Sequence, residues 1–241
     1  MIKVYKDKIE ASEAMAEDLK TIALNSVKEN GRFTIALTGG SSPIPLYNLL
    51  KEKPLVDEIP WDKTYIFWGD ERCVPFDHED NNAKMAWDTF LDFIPIPLDH
   101  VYRMNSEVHP RQGAEEYEKE LKNHFKDSDP VFDLILLGMG ADGHTASIFP
   151  GSGVIHEKEK WVDRGYNMEL NSDRITLTAP LINQAKNIFF GVYGEGKAET
   201  LKNVIEGEYN PLELPSQLIK PDHGNLVWYT DEAAAALLES K

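Results

Sequence analysis

The feature that most constrains the fold is a short apolar run followed by a glycine-containing polar loop, which occurs three times along the chain. The runs are Phe33–Leu37, Thr64–Trp68 and residues 134–137, and each is followed by glycine within two residues. Apolar runs of this length, bounded by turn residues, are typical of strands that are buried on both faces. The sequence therefore predicts three buried strands, each ending in a polar loop.

Helical patterns separate these strands. Apolar residues at positions 12–30 recur at the spacing of an amphipathic helix, with Ser12 as its expected N-cap. Alternation of strands and helices is typical of a doubly wound, mostly parallel α/β sheet, and we expect one such domain over residues 1–241, which Met1 to Tyr5 enters at once. Ligands of such sheets bind beyond the carboxyl ends of the strands. The further predicted helices are 43–52, 82–93, 113–125, 197–205 and 232–239, and the further predicted strands are 174–178, 187–193 and 225–229.

Composition limits the class of partner. The formal net charge of -16 argues against nucleic acid and anionic membranes, because both bind broad basic surfaces. A small phosphate ligand is still compatible, since a few cations and backbone amides in one pocket are enough to hold it. The single cysteine, Cys73, excludes an internal disulfide, and no apolar segment is long enough for a secretory signal or a membrane span. We therefore expect a cytoplasmic protein with a small-molecule partner.

The first loop, residues 38–43, reads Thr-Gly-Gly-Ser-Ser-Pro and joins a strand to a helix. Its glycines allow tight turns, and we expect Ser42 to cap the helix with Pro43 at the first helical position. Such a loop directs backbone N–H groups towards an anion. An ordinary strand-to-helix turn explains the segment equally well.

The second loop places Asp70, Glu71 and Arg72 directly after a buried strand. Arg72 could bind a phosphate through two parallel hydrogen bonds. A salt bridge from Arg72 to Asp70 or Glu71 is the alternative, and the sequence leaves open whether the two acids act in catalysis or only position Arg72. We expect Cys73 to be a small buried hydrophobe and not a nucleophile.

The third loop, residues 138–147, fits the G-x-G-x-x-G pattern of dinucleotide-binding proteins. That interpretation is disfavoured, because Asp142 would place a carboxylate in the pyrophosphate cradle and residues 149–153 interrupt the required helix. His144 is the candidate for proton transfer in this loop, because histidine is the side chain that most readily takes up and releases protons near neutral pH. Asp142 is close enough in sequence to hold the imidazole ring.

Residues 191–198 nearly match a nucleotide-binding P-loop, but Ala198 replaces the hydroxyl residue that holds magnesium. Nucleotide hydrolysis is therefore disfavoured. Lys197 is still predicted to lie just after a strand and near the start of a helix, where a cation can meet a phosphate. A solvated surface lysine is the alternative.

Taken together, these segments closely resemble the 6-phosphogluconolactonase family, within the larger group that includes glucosamine-6-phosphate deaminase. The resemblance rests on residues 37–43, 68–75 and 138–151, and it continues through residues 174–178, 196–198 and 231–234. Two details favour the lactonase branch. The deaminases typically carry an aromatic residue at the position of Arg72, and they have a glutamate in the stretch that here reads Thr-Ala-Ser-Ile-Phe-Pro.

The resemblance implies a fold similar to that of ribose-5-phosphate isomerase and hydrolysis of 6-phospho-D-glucono-1,5-lactone to 6-phosphogluconate. This reaction is the second step of the oxidative pentose phosphate pathway. It implies neither a cofactor nor a metal, and we expect a monomer or a homodimer. The family's catalytic histidine falls on His144, with Asp142 as its orienting partner. The expected substrate-binding residues are Gly39, Gly40, Ser41, Ser42, Asp70, Arg72, Arg174 and Lys197.

Three other functions are open at this point. The first is an amino-sugar-phosphate deaminase or isomerase with Asp70 as the proton-transfer base. The second is a non-catalytic sugar-phosphate sensor, and the third is a dinucleotide-dependent oxidoreductase.

Overall fold

A computed structural model describes residues 1–126 and 131–239 of the chain. Within those residues a six-stranded parallel sheet is accompanied by a three-stranded antiparallel sheet. The strands are β1 (Ile2–Tyr5), β2 (Phe33–Leu37), β3 (Thr64–Trp68), β4 (Asp70–Arg72), β5 (Leu134–Gly138), β6 (Val162–Asn167), β7 (Ser172–Leu177), β8 (Asn187–Val192) and β9 (Asn225–Asp231). The α/β class with a mostly parallel sheet, predicted from the sequence, is confirmed.

The helices lie between the strands. They are α1 (Lys8–Asn30), α2 (Ile44–Leu50), α3 (Leu55–Glu58), α4 (Asn82–Thr89), α5 (Pro110–Phe125), α6 (Ala179–Ile182) and α7 (Ala198–Glu206). Short 3-10 turns add Trp61–Lys63, Leu91–Phe93, Leu98–His100, Gly153–His156, Glu195–Lys197 and Pro215–Leu218. None of the helices within the described residues combines the length and apolar composition that crossing a membrane requires.

The strand order of the main sheet locates the functional edge. The order is β1-β9-β8-β5-β2-β3, so β2 lies between β3 on one side and β5 on the other. The next strand in the sequence, β3, is thus added on one side of β2, whereas the later strand β5 is added on the other side. Such a switch opens a crevice beyond the carboxyl ends of the two central strands.

The central strands form the core. Every residue of β2 is buried, and four of the five residues of β5 are buried. Burial on both faces explains why these strands read as continuous apolar runs in the sequence. The largest fully buried side chains include Trp68, Phe67 and Phe190, which lie on the adjoining strands β3 and β8.

The antiparallel sheet, in the order β4-β7-β6, was not predicted. Residues 70–72 were expected to form a loop, and residues 174–178 were expected to add to the main sheet. Gly69 explains the difference. Its N–H donates to the carbonyl of Leu37 in β2, and its carbonyl accepts from the N–H of Leu177 in β7, each at 2.8 Å. The chain thus passes from one sheet to the other at a single glycine.

Three helix predictions were wrong in detail. α1 begins at Lys8 and is capped by Asp7, whose carboxylate accepts from the N–H groups of Ile9 and Glu10, while Ser12 is buried inside the helix. Ser42 does not cap α2, which begins at Ile44 with Pro43 at the cap position and no side-chain capping bond. Residues 232–237 form turns after β9 in place of the predicted helix.

Candidate active site

A cleft of about 200 Å³ lies beyond the carboxyl ends of β2 and β5. The loops after β2 and β5, the strand β4, the start of α4 and the turn before α7 all contribute to it. The lining residues are Thr38, Gly39, Gly40, Ser42, Asp70, Arg72, Asn82, Gly138, Met139, Gly140, His144, Ala146 and Lys197. Segments that are far apart in the sequence, including all three predicted polar loops, therefore meet in one cleft.

His144 and Asp142 form a close pair at this cleft. Nδ1 of His144 lies 2.5 Å from Oδ1 of Asp142, and the backbone N–H of His144 donates to the same oxygen at 3.2 Å. Partial burial pushes the pKa of Asp142 upward, but the hydrogen bonds and charge of His144 outweigh it and leave that pKa below its ordinary value. Asp142 is thus held as a carboxylate that fixes one ring nitrogen of His144.

The ring of His144 is also held by packing. Phe149 lies against it with a distance of 4.5 Å between ring centroids, and the His144 side chain is 30% exposed. The imidazole therefore has one face against an apolar residue and one nitrogen on a carboxylate. The remaining nitrogen has no hydrogen-bond partner among residues 1–126 and 131–239, so it is available to a ligand in the cleft.

Two glycines make this geometry possible. A Cβ on Gly140 would lie 2.1 Å from Nδ1 of His144 and 2.3 Å from Oδ1 of Asp142, so no larger residue fits there without moving the pair. Gly143 has a φ of 79°, in the left-handed region that favours glycine, and a Cβ there would lie 2.7 Å from the side chain of Leu214. Gly140 thus makes room for the His144 and Asp142 pair, and Gly143 makes room for Leu214.

The loop that carries His144 is tied to the antiparallel sheet. The hydroxyl of Ser147 donates to Oδ2 of Asp70 at 2.6 Å, and the N–H of Ser147 donates to the hydroxyl of Thr176 at 3.1 Å. Asp70 lines the cleft but is largely buried. The position of the loop after β5 therefore depends on β4 and β7.

Lys197 lies where the sequence predicted it, between β8 and α7, and it lines the cleft. Partial burial lowers its pKa, and the negative charge of Asp142 works in the opposite direction. Within the part of the chain that the structure describes, its ammonium group has no hydrogen-bond or ion-pair partner. This cation is available to an anionic ligand.

Arg72 lines the cleft, as predicted. The alternative, a salt bridge from Arg72 to Asp70 or Glu71, is wrong for the described residues. One guanidinium nitrogen of Arg72 donates to the carbonyl oxygen of Asp80 at 2.9 Å. The carboxylate of Glu71 instead accepts the backbone N–H of Arg72 at 2.8 Å. Arg72 therefore presents a positive charge at the cleft that forms no ion pair with a described residue.

Three predicted site residues do not line the cleft: Asp142, which lies against His144, and Arg174 and Ser41. Arg174 is 8% exposed and lies opposite Arg72 in the pairing of β4 with β7. It donates to the hydroxyl of Ser172 and to the carbonyl of Asp173, and burial, followed by the charge of Arg72, lowers its pKa. Its positive charge therefore lies beside that of Arg72 on the paired strand. Ser41 is exposed to solvent.

The glycine loop after β2 is anchored from both sides. The hydroxyl of Tyr47 in α2 accepts the N–H of Thr38 at 3.1 Å and donates to the Thr38 carbonyl at 2.7 Å. On the other side, a Cβ on Gly39 would lie 1.8 Å from Oδ1 of Asn82. Gly40 has a φ of 78°. The loop is therefore fixed between α2 and the first residue of α4.

Asn82, Met139 and Ala146 line the cleft but were missed by sequence reasoning. Asn82 was predicted only as the start of a helix. Two consecutive asparagines at a helix start are a capping signal, and that signal pointed to the correct boundary but not to the cleft. Met139 and Ala146 lie inside the predicted loop and carry no chemical signal of their own.

A larger groove of about 330 Å³ lies between α5 and β6. Its basic residues, among them Lys119 and Lys122, alternate with Glu115, Glu118 and Asp163. It contains neither a glycine loop nor a histidine. The cleft at His144 is therefore the candidate active site.

Comparison with known proteins identifies the family. Residues 6–228 match the family described as glucosamine-6-phosphate isomerases/6-phosphogluconolactonase. The chain belongs to this family. A 6-phosphogluconolactonase from Nostoc sp. is 40% identical over 217 residues, which is 88% of each chain. A rice protein named probable 6-phosphogluconolactonase 3, chloroplastic, is 37% identical over 95% of this chain and 73% of its own length.

Solved structures of family members agree with the fold. The 6-phosphogluconolactonase from Trypanosoma brucei is 30% identical, with a TM-score of 0.88 over 99% of this chain and 98% of its own. A monomeric glucosamine-6-phosphate deaminase has a TM-score of 0.82 at 19% identity over 98% of this chain and 99% of its own, which is a likeness of fold alone. The resemblance inferred from the sequence is thereby confirmed.

Proposed function

We propose that this protein hydrolyses 6-phospho-D-glucono-1,5-lactone to 6-phosphogluconate, the second step of the oxidative pentose phosphate pathway. One observation carries the proposal: the His144 and Asp142 pair opens onto the same cleft as Lys197, Arg72 and the glycine loop. That combination provides a proton acceptor beside a cationic cradle. Relatives that are 40% identical are named 6-phosphogluconolactonase.

In this proposal the 6-phosphate binds to Arg72, Lys197 and the backbone of residues 39–42, and Arg174, paired with Arg72 across the antiparallel sheet, strengthens the positive field. Asp70, fixed by Ser147, contacts the sugar. Binding the phosphate at one end of the cleft directs C1 of the lactone towards His144. Such positioning supplies much of the catalysis, because the lactone is already an activated ester.

His144 then acts as the general base. With Nδ1–H donated to Asp142, Nε2 carries the free lone pair and takes a proton from a water molecule as its oxygen attacks C1. The C1–O bond to the ring oxygen breaks when the tetrahedral intermediate collapses. The protonated His144 returns its proton to that oxygen, so the products are a carboxylic acid, which ionises, and a hydroxyl group. The step requires no change in oxidation state.

Substitution of His144 tests the catalytic role. We expect His144→Ala to lower kcat on the lactone by about a hundredfold or more, the scale of losing a general base. The matched control is His223→Ala, since His223 is exposed and does not line the cleft. The assay must subtract spontaneous lactone hydrolysis. A His144→Ala enzyme with the turnover of the control would contradict the assignment.

Substitution of the cations tests substrate binding. Arg72→Ala and Lys197→Ala should each raise KM by about tenfold or more and leave kcat less affected, because both residues contact a group remote from C1. Lys220→Ala, which removes an exposed lysine outside the cleft, is the control. If Arg72→Ala and Lys197→Ala both had the KM of the Lys220→Ala control, the proposal that these two residues bind the phosphate would be refuted.

A deaminase function is the alternative that the family description includes. Two contacts argue against it. Phe149 packs on His144 in the stretch where the deaminases carry a glutamate, and the carboxylate of Asp70 already accepts the hydroxyl of Ser147. Ammonia release from glucosamine-6-phosphate, measured on the same preparation, distinguishes the two activities.

A cytoplasmic location and a monomeric or homodimeric state complete the proposal. The lone Cys73 supports a reducing compartment, whereas the rice relative is named chloroplastic. Cell fractionation and light scattering after gel filtration test the two points separately.

A further inference from the structure

Glu71 is a fully buried acid beside the cleft that the proposed mechanism does not use. It is 1% exposed and lies between two residues that line the cleft, Asp70 and Arg72. Successive side chains of a strand point to opposite faces, so Glu71 points away from the cleft and towards α4. It cannot contact the substrate.

The carboxylate of Glu71 is instead bonded to the start of α4. Oε1 accepts the N–H groups of Asn82 at 2.7 Å and of Arg72 at 2.8 Å, and Oε2 accepts the N–H of Ala83 at 2.8 Å. The next free N–H of the helix, on Lys84, donates to the side chain of Asn81. Glu71 thus satisfies the first two N–H groups of α4 from a distant strand.

This arrangement matters because Asn82 belongs to the cleft. Its side-chain amide donates to the carbonyl of Asp70 at 2.9 Å, and its Oδ1 occupies the space where a Cβ of Gly39 would be. A shift of the α4 start would therefore move Asn82 against the glycine loop. The same carboxylate holds the backbone of Arg72.

We infer that Glu71 is a positioning residue for the proposed reaction, fixing the start of α4 so that Asn82 abuts the Gly39 loop and Arg72 faces the cleft. The inference rests on the proposed function. Burial raises the pKa of Glu71 to about 7, while the three N–H donors act to lower it. Burying an acid costs free energy, and the three N–H donors offset part of that cost.

Glu71→Gln tests this inference. Because both carboxylate oxygens accept backbone N–H groups, either orientation of the amide turns an NH2 group towards an N–H donor. We expect KM for the lactone to rise about tenfold and kcat to stay within about threefold, with a matching weakening of 6-phosphogluconate binding by calorimetry. Asp7→Ala is the matched control, since it removes a carboxylate that caps α1 and does not line the cleft.

A purely structural role predicts something different. In that case Glu71→Gln and Asp7→Ala would both lower the melting temperature and leave KM at the parental value, and this result would overturn the inference. A fall in the kcat of Glu71→Gln by about tenfold, as large as the expected rise in KM, would also overturn the inference, because Glu71 would then act on the chemical step.

Asn82→Ala keeps the inference testable even if Glu71→Gln does not fold. This variant deletes the side chain that Glu71 positions but keeps the backbone N–H that Glu71 accepts, so it should raise KM about tenfold. A parental KM would refute the inference. A parental enzyme with no lactone turnover would instead refute the proposed function, so the two failures are distinguishable.

Discussion

The contact of Gly140 with the His144 and Asp142 pair gives the sharpest prediction. Gly140 approaches the His144 and Asp142 pair so closely that a Cβ would lie 2.1 Å from Nδ1 of His144. Ordinary van der Waals contact begins at 3.4 Å, so Gly140→Ala must displace the imidazole by about 1.3 Å. The backbone itself tolerates alanine, because Gly140 is not among the glycines with positive φ.

The expected loss follows from that displacement. A misplacement of about 1 Å can cost about a hundredfold in rate, so we expect kcat on the lactone to fall by about that factor. KM should stay within about threefold, because the phosphate-binding residues do not move. The His144 ring is partly exposed and can swing outward, so the free energy of unfolding should change by less than about 1 kcal/mol, below the usual cost of overpacking a core.

The assay is initial-rate hydrolysis with the spontaneous reaction subtracted, accompanied by urea unfolding. Gly153→Ala is the matched control, since Gly153 also lacks a positive φ and its added Cβ meets nothing within 4 Å. The control should retain parental kcat. If Gly140→Ala kept kcat within threefold while His144→Ala abolished turnover, the ring position described above would not be the catalytic one.

Three further predictions concern the site and the stability of the fold. Asp142→Asn should lower kcat by about tenfold or more at neutral pH, because the amide no longer holds the Nδ1–H tautomer of His144; equal pH-rate profiles for variant and parent would contradict this. His124 has an unpartnered buried Nε2 among the described residues, and burial lowers its pKa to about 4. Because the folded state favours neutral His124, this residue makes its full contribution to the free energy of unfolding above about pH 6.5. That contribution is lost as the pH falls towards 4, since the unfolded chain then binds the proton more readily. Between about pH 7 and pH 5 the parent should therefore lose about 1 kcal/mol more stability than His124→Phe, a value reduced for the partial exposure of the ring, and parallel urea-unfolding curves would refute the assignment. Leu121→Ala should lower the free energy of unfolding by about 2 to 5 kcal/mol, because Leu121 is 0% exposed in the core, whereas Lys119→Ala on the same helix should change it by less than about 0.5 kcal/mol.

The sequence was most informative where burial is complete. β2, β3 and β5 were predicted to within one residue, because strands buried on both faces read as unbroken apolar runs. β4 was missed, because its three residues are all charged and its partner β7 lies about a hundred residues away in the chain. A pairing over that distance leaves no periodic signal in either segment.

The candidate site also has features that the sequence predicted and features that it missed. The rule for parallel sheets predicted that the loops of Gly39, Arg72 and His144 would meet, and they line one cleft. It did not predict that Arg174 would lie opposite Arg72 on a neighbouring strand, because the antiparallel sheet fixes that relation. Nor did it assign a contact to Glu71, whose acceptors are satisfied only once α4 packs over β4.

The amino-acid sequence by itself determined the α/β class, the positions of the buried strands along the chain, and the residue types that can carry proton transfer and phosphate binding. These properties depend on local apolar patterns and on the chemistry of single side chains. Only the tertiary structure decided which of those side chains share the cleft and which support it from outside. That choice depends on contacts of a few ångströms between segments remote in sequence, such as Asn82 against Gly39, and no local pattern encodes them.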